Sequence, residues 1–378
     1  MRGILVIRSF NTQIYEEDRF DHANNDLTKL NLFVNRAMSV MMPVMMLIMN
    51  LTSILIVWAG AHYIDAGNLE IGSMLAFIQY AMQIIISFLF IAMMFIFLPR
   101  AAVSMGRVGE ILKKEISITD KENTQEIRDK CGVVEFKNVS FRYADAEDAV
   151  LSDISFTARP GETTAFIGST GSGKTTLVNL IPRFFDVTEG SITIDGVDIR
   201  DMKQHELREM IGYVPQKGML FSGDIKSNIA YGAEYKRLDN IERAAEIAQA
   251  EDFIMEKEEG FNAPVAQGGT NVSGGQKQRL SIARALAKKA PIYIFDDSFS
   301  ALDFKTDAAL RKELKKSAGE STLLIVAQRI STIADADQIV VLNEGRIEGK
   351  GTHKELMQTC EIYREIASSQ LDSRRGEM

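Results

Sequence analysis

The residues best suited to chemistry form one unbroken run, Gly168-Ser169-Thr170-Gly171-Ser172-Gly173-Lys174-Thr175, with Thr176 directly behind it. Glycines spaced this way before Lys and Thr make the pattern of a phosphate-binding loop. Glycine lets consecutive backbone N–H groups curl around a polyphosphate, and a helix opening there turns its positive end toward that charge. Lys174 is placed to reach the terminal phosphates, and the Thr175 hydroxyl to bind Mg²⁺. A second acidic element is needed to hold the metal. Ile292-Tyr293-Ile294-Phe295-Asp296 supplies it as an apolar strand ending in a carboxylate, and Asp297 follows where a base for the attacking water would stand.

These residues need a strand before the loop and a helix after it. Thr163 to Ile167 is apolar and strand-like, and Leu177, Val178, Leu180 and Ile181 recur at helical spacing. Strand and helix patterns alternate from Val133 to the end, with turns such as Asp195-Gly196 and Glu344-Gly345. Ile225 to Lys289 is almost purely helical in pattern. The expected fold is therefore an α/β P-loop NTPase domain over 131–370, a parallel core with antiparallel strands in front and an inserted helical subdomain. A charged linker, 116–130, precedes it, and a solvated tail, 371–378, ends it.

Before residue 115 the composition changes. Two uncharged stretches, 37–64 and 71–99, are separated only by Asp65 to Glu70, and each exceeds the roughly 20 residues that cross a bilayer as helix. A transmembrane hairpin with cytoplasmic helical extensions is predicted for 1–115. Arg36, Arg100, Arg107, Lys113 and Lys114 flank its outer ends while the short loop carries acids, so both termini face the cytoplasm. Gln79 and Gln83 share a face of the second span, as hydrogen-bonding partners between helices or as lining for a substrate. A formal net charge of −8 without a basic stripe argues against a nucleic-acid partner. Cys131 and Cys360 have no metal-like spacing and read as free thiols.

Val272-Ser273-Gly274-Gly275-Gln276, followed by Lys277-Gln278-Arg279, completes a set that resembles an ATP-binding cassette exporter half-transporter, over nearly the whole chain and in the family's motif order. The resemblance implies ATP and Mg²⁺ as ligands, and gives roles to further residues. Tyr143 matches the aromatic that stacks on adenine, and Gln216 the loop glutamine that senses Mg²⁺ and the membrane domain. Ser273, Gly274, Gly275 and Gln276 match the signature that meets the γ-phosphate on a facing subunit. Asp303 lies in the D-loop, and Gln328 occupies the switch position. A signature that opens a helix offers a second anion-binding end, which suits one ATP sandwiched between two subunits. Gly3 to Phe10 matches the end of an intracellular loop. The hairpin matches the last two of six membrane helices, so four are expected to be missing through truncation or to come from another chain. Truncation is favoured because Arg2-Gly3-Ile4 reads like the middle of a longer protein.

Two departures from the family pattern fall on the catalytic positions. Asp297 replaces the expected glutamate and is one methylene shorter; Gln328 replaces the switch histidine and cannot change charge. Misplacing a catalytic group by about 1 Å can cost on the order of a hundredfold in rate. Gln267 also stands where a carboxylate is common. A weakened own site beside a nearly intact signature resembles one half of a heterodimeric, multidrug-type exporter in the cell membrane, acting on an unknown small molecule, with a homodimer as the alternative assembly. A soluble ATPase of the same superfamily, an importer component and an ATP-binding remnant without transport remain the competing readings.

Overall fold

The computed structural model describes residues 2–375 apart from 128, 145, 232 and 234–237. The chain divides into two compact units, Met1–Glu115 and Ile116–Met378, where the charge pattern changes.

The first unit holds a short helix α1 (Arg2–Ser9) and two long ones, α2 (Gln13–Asp65) and α3 (Ile71–Leu112). At 1.5 Å per residue the long helices run roughly 80 and 60 Å, well beyond the ~30 Å of bilayer hydrocarbon. The apolar runs at 37–64 and 71–99 are therefore only parts of longer helices. Pro43 and Pro99 sit inside them without ending them. The Thr52, Ser53 and Ser87 hydroxyls donate to carbonyls one turn back at 2.8, 3.0 and 2.8 Å, so these polar groups are satisfied locally, as a lipid surrounding requires. Near the turn the helices approach at Gly60, where a Cβ would come within 2.7 Å of Met74 Sδ. The side-chain amides of Gln79 and Gln83 join no hydrogen bond between helices among the described residues.

In the second unit the charged linker expected over 116–130 is laid down as a strap on the domain that follows. Lys121 pairs with Asp201, the Gln125 N–H reaches the Asp201 carbonyl at 2.7 Å, and Asp120 accepts from Gln204 Nε2 at 3.0 Å. The side-chain bond from Gln204 holds the Asp120 carboxyl below the usual carboxylate range. Composition showed charges here but not their partners.

Beyond the strap come β1 (Val134–Phe141), β2 (Leu151–Ala158), β3 (Thr163–Gly168), α4 (Lys174–Leu180), β4 (Glu189–Ile194) and β5 (Val197–Asp198). Helix α5 (Gln204–Glu209), β6 (Ile211–Val214), β7 (Gly223–Asp224), α6 (Ile225–Ile229), α7 (Leu238–Ile247) and α8 (Glu251–Met255) follow. Then come β8 (Pro264–Val265), α9 (Gly274–Leu286), β9 (Ile292–Asp296), α10 (Phe304–Ser317), β10 (Thr322–Val326) and α11 (Ile330–Ile333). The chain closes with β11 (Gln338–Asn343), β12 (Arg346–Gly351), α12 (His353–Thr359) and α13 (Glu361–Arg375). The stretch expected to be helical therefore contains β8, which pairs antiparallel with β7. Helix α13 also runs through most of the expected tail. No Gly or Pro interrupts 361–375, and the first such residue is Gly376; residues 376–378 lie outside the described residues.

One sheet is antiparallel, in the order β2-β1-β4-β5; the other runs β12-β11-β3-β10-β9-β6, parallel except for the edge strand β12. Every residue of β9 and β10 is buried, the continuous apolar pattern of parallel strands covered on both faces. Alternate side chains divide between two cores. Tyr293, Phe295, Leu323 and Ile325 pack with residues of α7, α9 and α10, while Ile292, Ile294, Leu324 and Val326 pack with β1, β2, β4 and α4. Phe166 of β3 joins the second core, edge-on to Phe156 with ring centres 5.3 Å apart. Replacing it with alanine should cost roughly 3–5 kcal/mol through lost burial and a residual cavity. Urea unfolding followed by circular dichroism should show a lower midpoint for Phe166→Ala with little change in slope. An unchanged midpoint would mean that the two sheets do not depend on this contact.

Candidate nucleotide site

Four parallel strands end side by side. Val326, the last residue of β10, pairs with Phe166 of β3 on one side and Asp296 of β9 on the other, and Val214 of β6 pairs with Phe295. Ladder bonds continue past the strand ends, from the Ala327 N–H to the Phe166 carbonyl at 3.1 Å and from the Asp297 N–H to the Val326 carbonyl at 3.0 Å. The residues that follow each strand are thereby delivered to one level: the loop after Gly168, Asp297, Gln328 and Gln216.

The loop after β3 folds tightly. A side chain at Gly168 would collide with the Leu342 carbonyl oxygen, and Gly173 has φ +94°, which glycine adopts at little cost. Lys174 lies across the loop, donating to the Gly168 and Ser169 carbonyls at 2.9 and 2.7 Å and to Ser172 Oγ at 3.2 Å. Burial pushes its ammonium down, while Asp297 and Asp296 pull it back up. A cavity of about 460 Å³ opens beside the loop, lined by Ser169, Thr170, Gly171, Lys174, Thr175 and Thr176. Gln216, Asp297 and Gln328 line it too, so most of the predicted nucleotide residues share one space.

The two acids differ in what holds them. Asp296 is 1% exposed, and its Oδ1 accepts from Thr175 Oγ1 at 3.0 Å. Burial raises its pKa above the usual carboxylate value, and the neighbouring Asp297 charge adds to the rise, against the Thr175 hydrogen bond and Lys174. Asp297 sits at φ +48°, and its Oδ2 takes two amide donors, Gln328 Nε2 at 2.6 Å and Gln216 Nε2 at 3.2 Å. Among the described residues no cluster of three or more His, Cys, Asp or Glu could hold a metal. The Thr175 hydroxyl and the Asp296 carboxylate do suit Mg²⁺, which takes a few hard protein oxygens and completes its shell with phosphate and water. Gln216, the third predicted metal residue, contacts Asp297 instead of either oxygen.

Other predicted residues stand apart. Tyr143 does not line the cavity; its hydroxyl is 3.1 Å from Thr176 Oγ1 and its ring meets Phe185 edge-on at 5.2 Å. Ser273 and Gln276 form a reciprocal cap at the start of α9: Ser273 Oγ accepts from the Gln276 N–H and Gln276 Oε1 from the Ser273 N–H. Neither they nor Gly274 and Gly275 line the cavity. Asp303 caps α10, accepting from the Lys305 and Thr306 N–H groups at 3.1 and 3.0 Å. Four lining residues escaped the sequence reading, Val150, Val326, Ile366 and Gln370. The signal for the last two was the spacing of Ile362, Tyr363, Ile366, Ala367 and Gln370, one face of α13.

The raised pKa of Asp296 means the fold is disfavoured as pH climbs through its ionisation, so at neutral pH the charged form costs stability. Asp296→Asn removes that charge and keeps an acceptor for Thr175. It should raise the melting temperature without nucleotide by a few degrees and abolish the part of ATP stabilisation that depends on Mg²⁺. Thermal shifts with Mg²⁺ and with a chelator measure both; a lower melting temperature alongside intact Mg²⁺ dependence would contradict the assignment.

Residues 151–300 match the family model described as ABC transporter, and residues 1–88 the one described as ABC transporter transmembrane region. An uncharacterized ABC transporter ATP-binding protein of Mycobacterium tuberculosis is 42% identical over 374 residues, covering 98% of this chain and 64% of the relative. One from Bacillus subtilis is 42% identical over 372 residues, at 97% and 64% coverage. The structure of a bacterial Atm1-family ABC exporter with ATP bound superposes with a TM-score of 0.85 at 31% identity, over 97% of this chain and 65% of that one. The chain thus spans 64% of the length of the curated relatives it matches. Because the likeness runs through the membrane hairpin and the nucleotide-binding domain alike, the chain belongs to the ABC transporter family, joining part of the family's transmembrane region to its ATP-binding domain.

Proposed function

We propose that this chain is the ATP-driven subunit of a membrane exporter, with a slow nucleotide site of its own and a signature segment that completes a faster site on a different partner subunit. The observation that carries the reading is the separation of Ser273 to Gln276 from the cavity lined by Lys174, Asp297 and Gln328. A cassette that keeps its second phosphate-binding segment away from its own nucleotide cavity needs a facing copy or relative to complete the site.

In the proposed reaction a water attacks the γ-phosphorus of ATP, its proton passes to Asp297, and the bond to the departing ADP oxygen breaks to release phosphate. Lys174 neutralises charge on the β- and γ-phosphates, and the loop after Gly168 orients them. Mg²⁺, held by Thr175 and Asp296, would supply further charge neutralisation. Gln328 keeps its amide on Asp297 Oδ2 at 2.6 Å, a bond it must give up to reach a γ-phosphate. The short reach of Asp297 and the inability of the neutral Gln328 amide to take up or release a proton both favour slow turnover. The Met-rich run from Met38 to Met49, with Gln79 and Gln83, suits an amphipathic small molecule as cargo. A Bacillus subtilis relative, 37% identical over 370 residues, bears a provisional multidrug-export name.

Restoring the usual side chains tests the slow site. Asp297→Glu combined with Gln328→His should raise phosphate release by the pure chain by about tenfold or more. The complex with the partner should hydrolyse ATP faster than the pure chain, and Ser273→Ala in this chain should remove that gain. Full-rate hydrolysis by a homodimer, lost on Asp297→Asn, would sink the slow-site reading.

A further inference from the structure

The last helix reaches the nucleotide cavity and grips the switch segment there. Gln370 of α13 uses its amide twice: Nε2 donates to the Gln328 carbonyl at 2.7 Å, and Oε1 accepts the Ile330 N–H at 2.8 Å. A primary amide carries donor and acceptor side by side without charge, so it pairs with the backbone on both sides of Arg329 as a neighbouring strand would. From elsewhere the Arg329 guanidinium lies over the Phe304 ring at 5.1 Å and reaches the Ser300 carbonyl at 3.4 Å. The backbone of Gln328 is thus fixed where its side chain turns to Asp297 at 2.6 Å.

The helix that presents Gln370 is itself anchored. Tyr363, two turns earlier on the same face, is fully buried, its pKa is pushed up to about 12 by burial, and its hydroxyl is 2.7 Å from His353 Nδ1. Ala367 and Ile366 continue that face inward, and Ile366 meets the cavity beside Gln370. A side chain on so well packed a helix is a firm reference point for a switch loop.

We infer that Gln370 is a positioning residue: its clasp on the backbone of 328–330 sets where the Gln328 amide stands relative to Asp297 and the γ-phosphate, making α13 part of the hydrolytic switch. The inference rests on the nucleotide-site reading above. A purely architectural role would lower thermal stability yet leave turnover per folded molecule unchanged.

The full chain in lipid nanodiscs should be compared with Gln370→Ala and Gln370→Glu by hydrogen exchange at the Ile330 amide and by Mg·ATP turnover. Glutamate keeps the acceptor for Ile330 and loses the donor for Gln328. Losing one backbone hydrogen bond should speed Ile330 exchange about fivefold in the alanine variant, while the glutamate variant stays within about twofold of wild type. Both should lower kcat about fivefold with KM for Mg·ATP within about twofold. Unchanged exchange in Gln370→Ala, unchanged kcat in both variants, or a raised KM at constant kcat would each overturn the proposal. If the unaltered chain takes up no Mg·ATP, the site reading fails and the switch role with it; the exchange comparison, which needs no nucleotide, separates that failure from failure of the clasp.

Discussion

The site depends on the parallel register that brings β3, β10, β9 and β6 to a common end. Val326 is the centre of that arrangement, paired with Phe166 and Asp296 at once. A one-residue slip of β10 would exchange the two faces of the strand, sending Leu324 and Val326 toward the helices and Leu323 and Ile325 toward the other sheet. It would also carry Gln328 away from Asp297. Hydrophobic burial on both faces therefore sets the position of a polar site that contributes little burial of its own. Strands that read as plain apolar runs are what make the chemistry possible.

Against that background the acids at the end of β9 are costly occupants. Asp296 is nearly inaccessible and lies next to Asp297, and burial disfavours its charge. Groups arranged in this way are retained for what they bind more than for stability, since buried charges are favourable only when paired or coordinated. Asp297 is treated differently, with two neutral amides converging on one oxygen. Those amides come from separate loops after β6 and β10, so movement of either loop changes what Asp297 touches. Hydrogen bonds thus run from Gln216 through Asp297 to Gln328, whose carbonyl in turn accepts from Gln370 of α13.

The signature segment follows another logic. Ser273 and Gln276 satisfy each other's backbone N–H groups and give α9 a firm start without any ligand. Ser273 and Gly274 remain exposed because burial falls on the later turns of the helix, at Leu280, Ile282 and Ala283 among others. Asp303 likewise spends its carboxylate on the first N–H groups of α10. Each therefore has a local structural role within one chain.

What the sequence determined by itself was chemistry carried by contiguous residues and periodic patterns. The phosphate loop needs its glycines and Lys174 in adjacent positions, the strand ending in Asp296 announces itself by five residues, and the apolar stretches at 37–64 and 71–99 need only length and lack of charge. Tertiary structure decided everything that joins residues far apart in the chain. It laid the charged strap at 119–125 on Asp201 and Gln204, put Tyr143 against Thr176 outside the cavity lining, and gave Asp297 two amide partners from different loops. It also brought Gln370 to Gln328 and Ile330 across 42 and 40 residues of chain, contacts with no local pattern. The physical reason is that hydrogen bonds and packing between distant residues follow from how sheet and helices stack, and neighbours in sequence carry no record of that stacking.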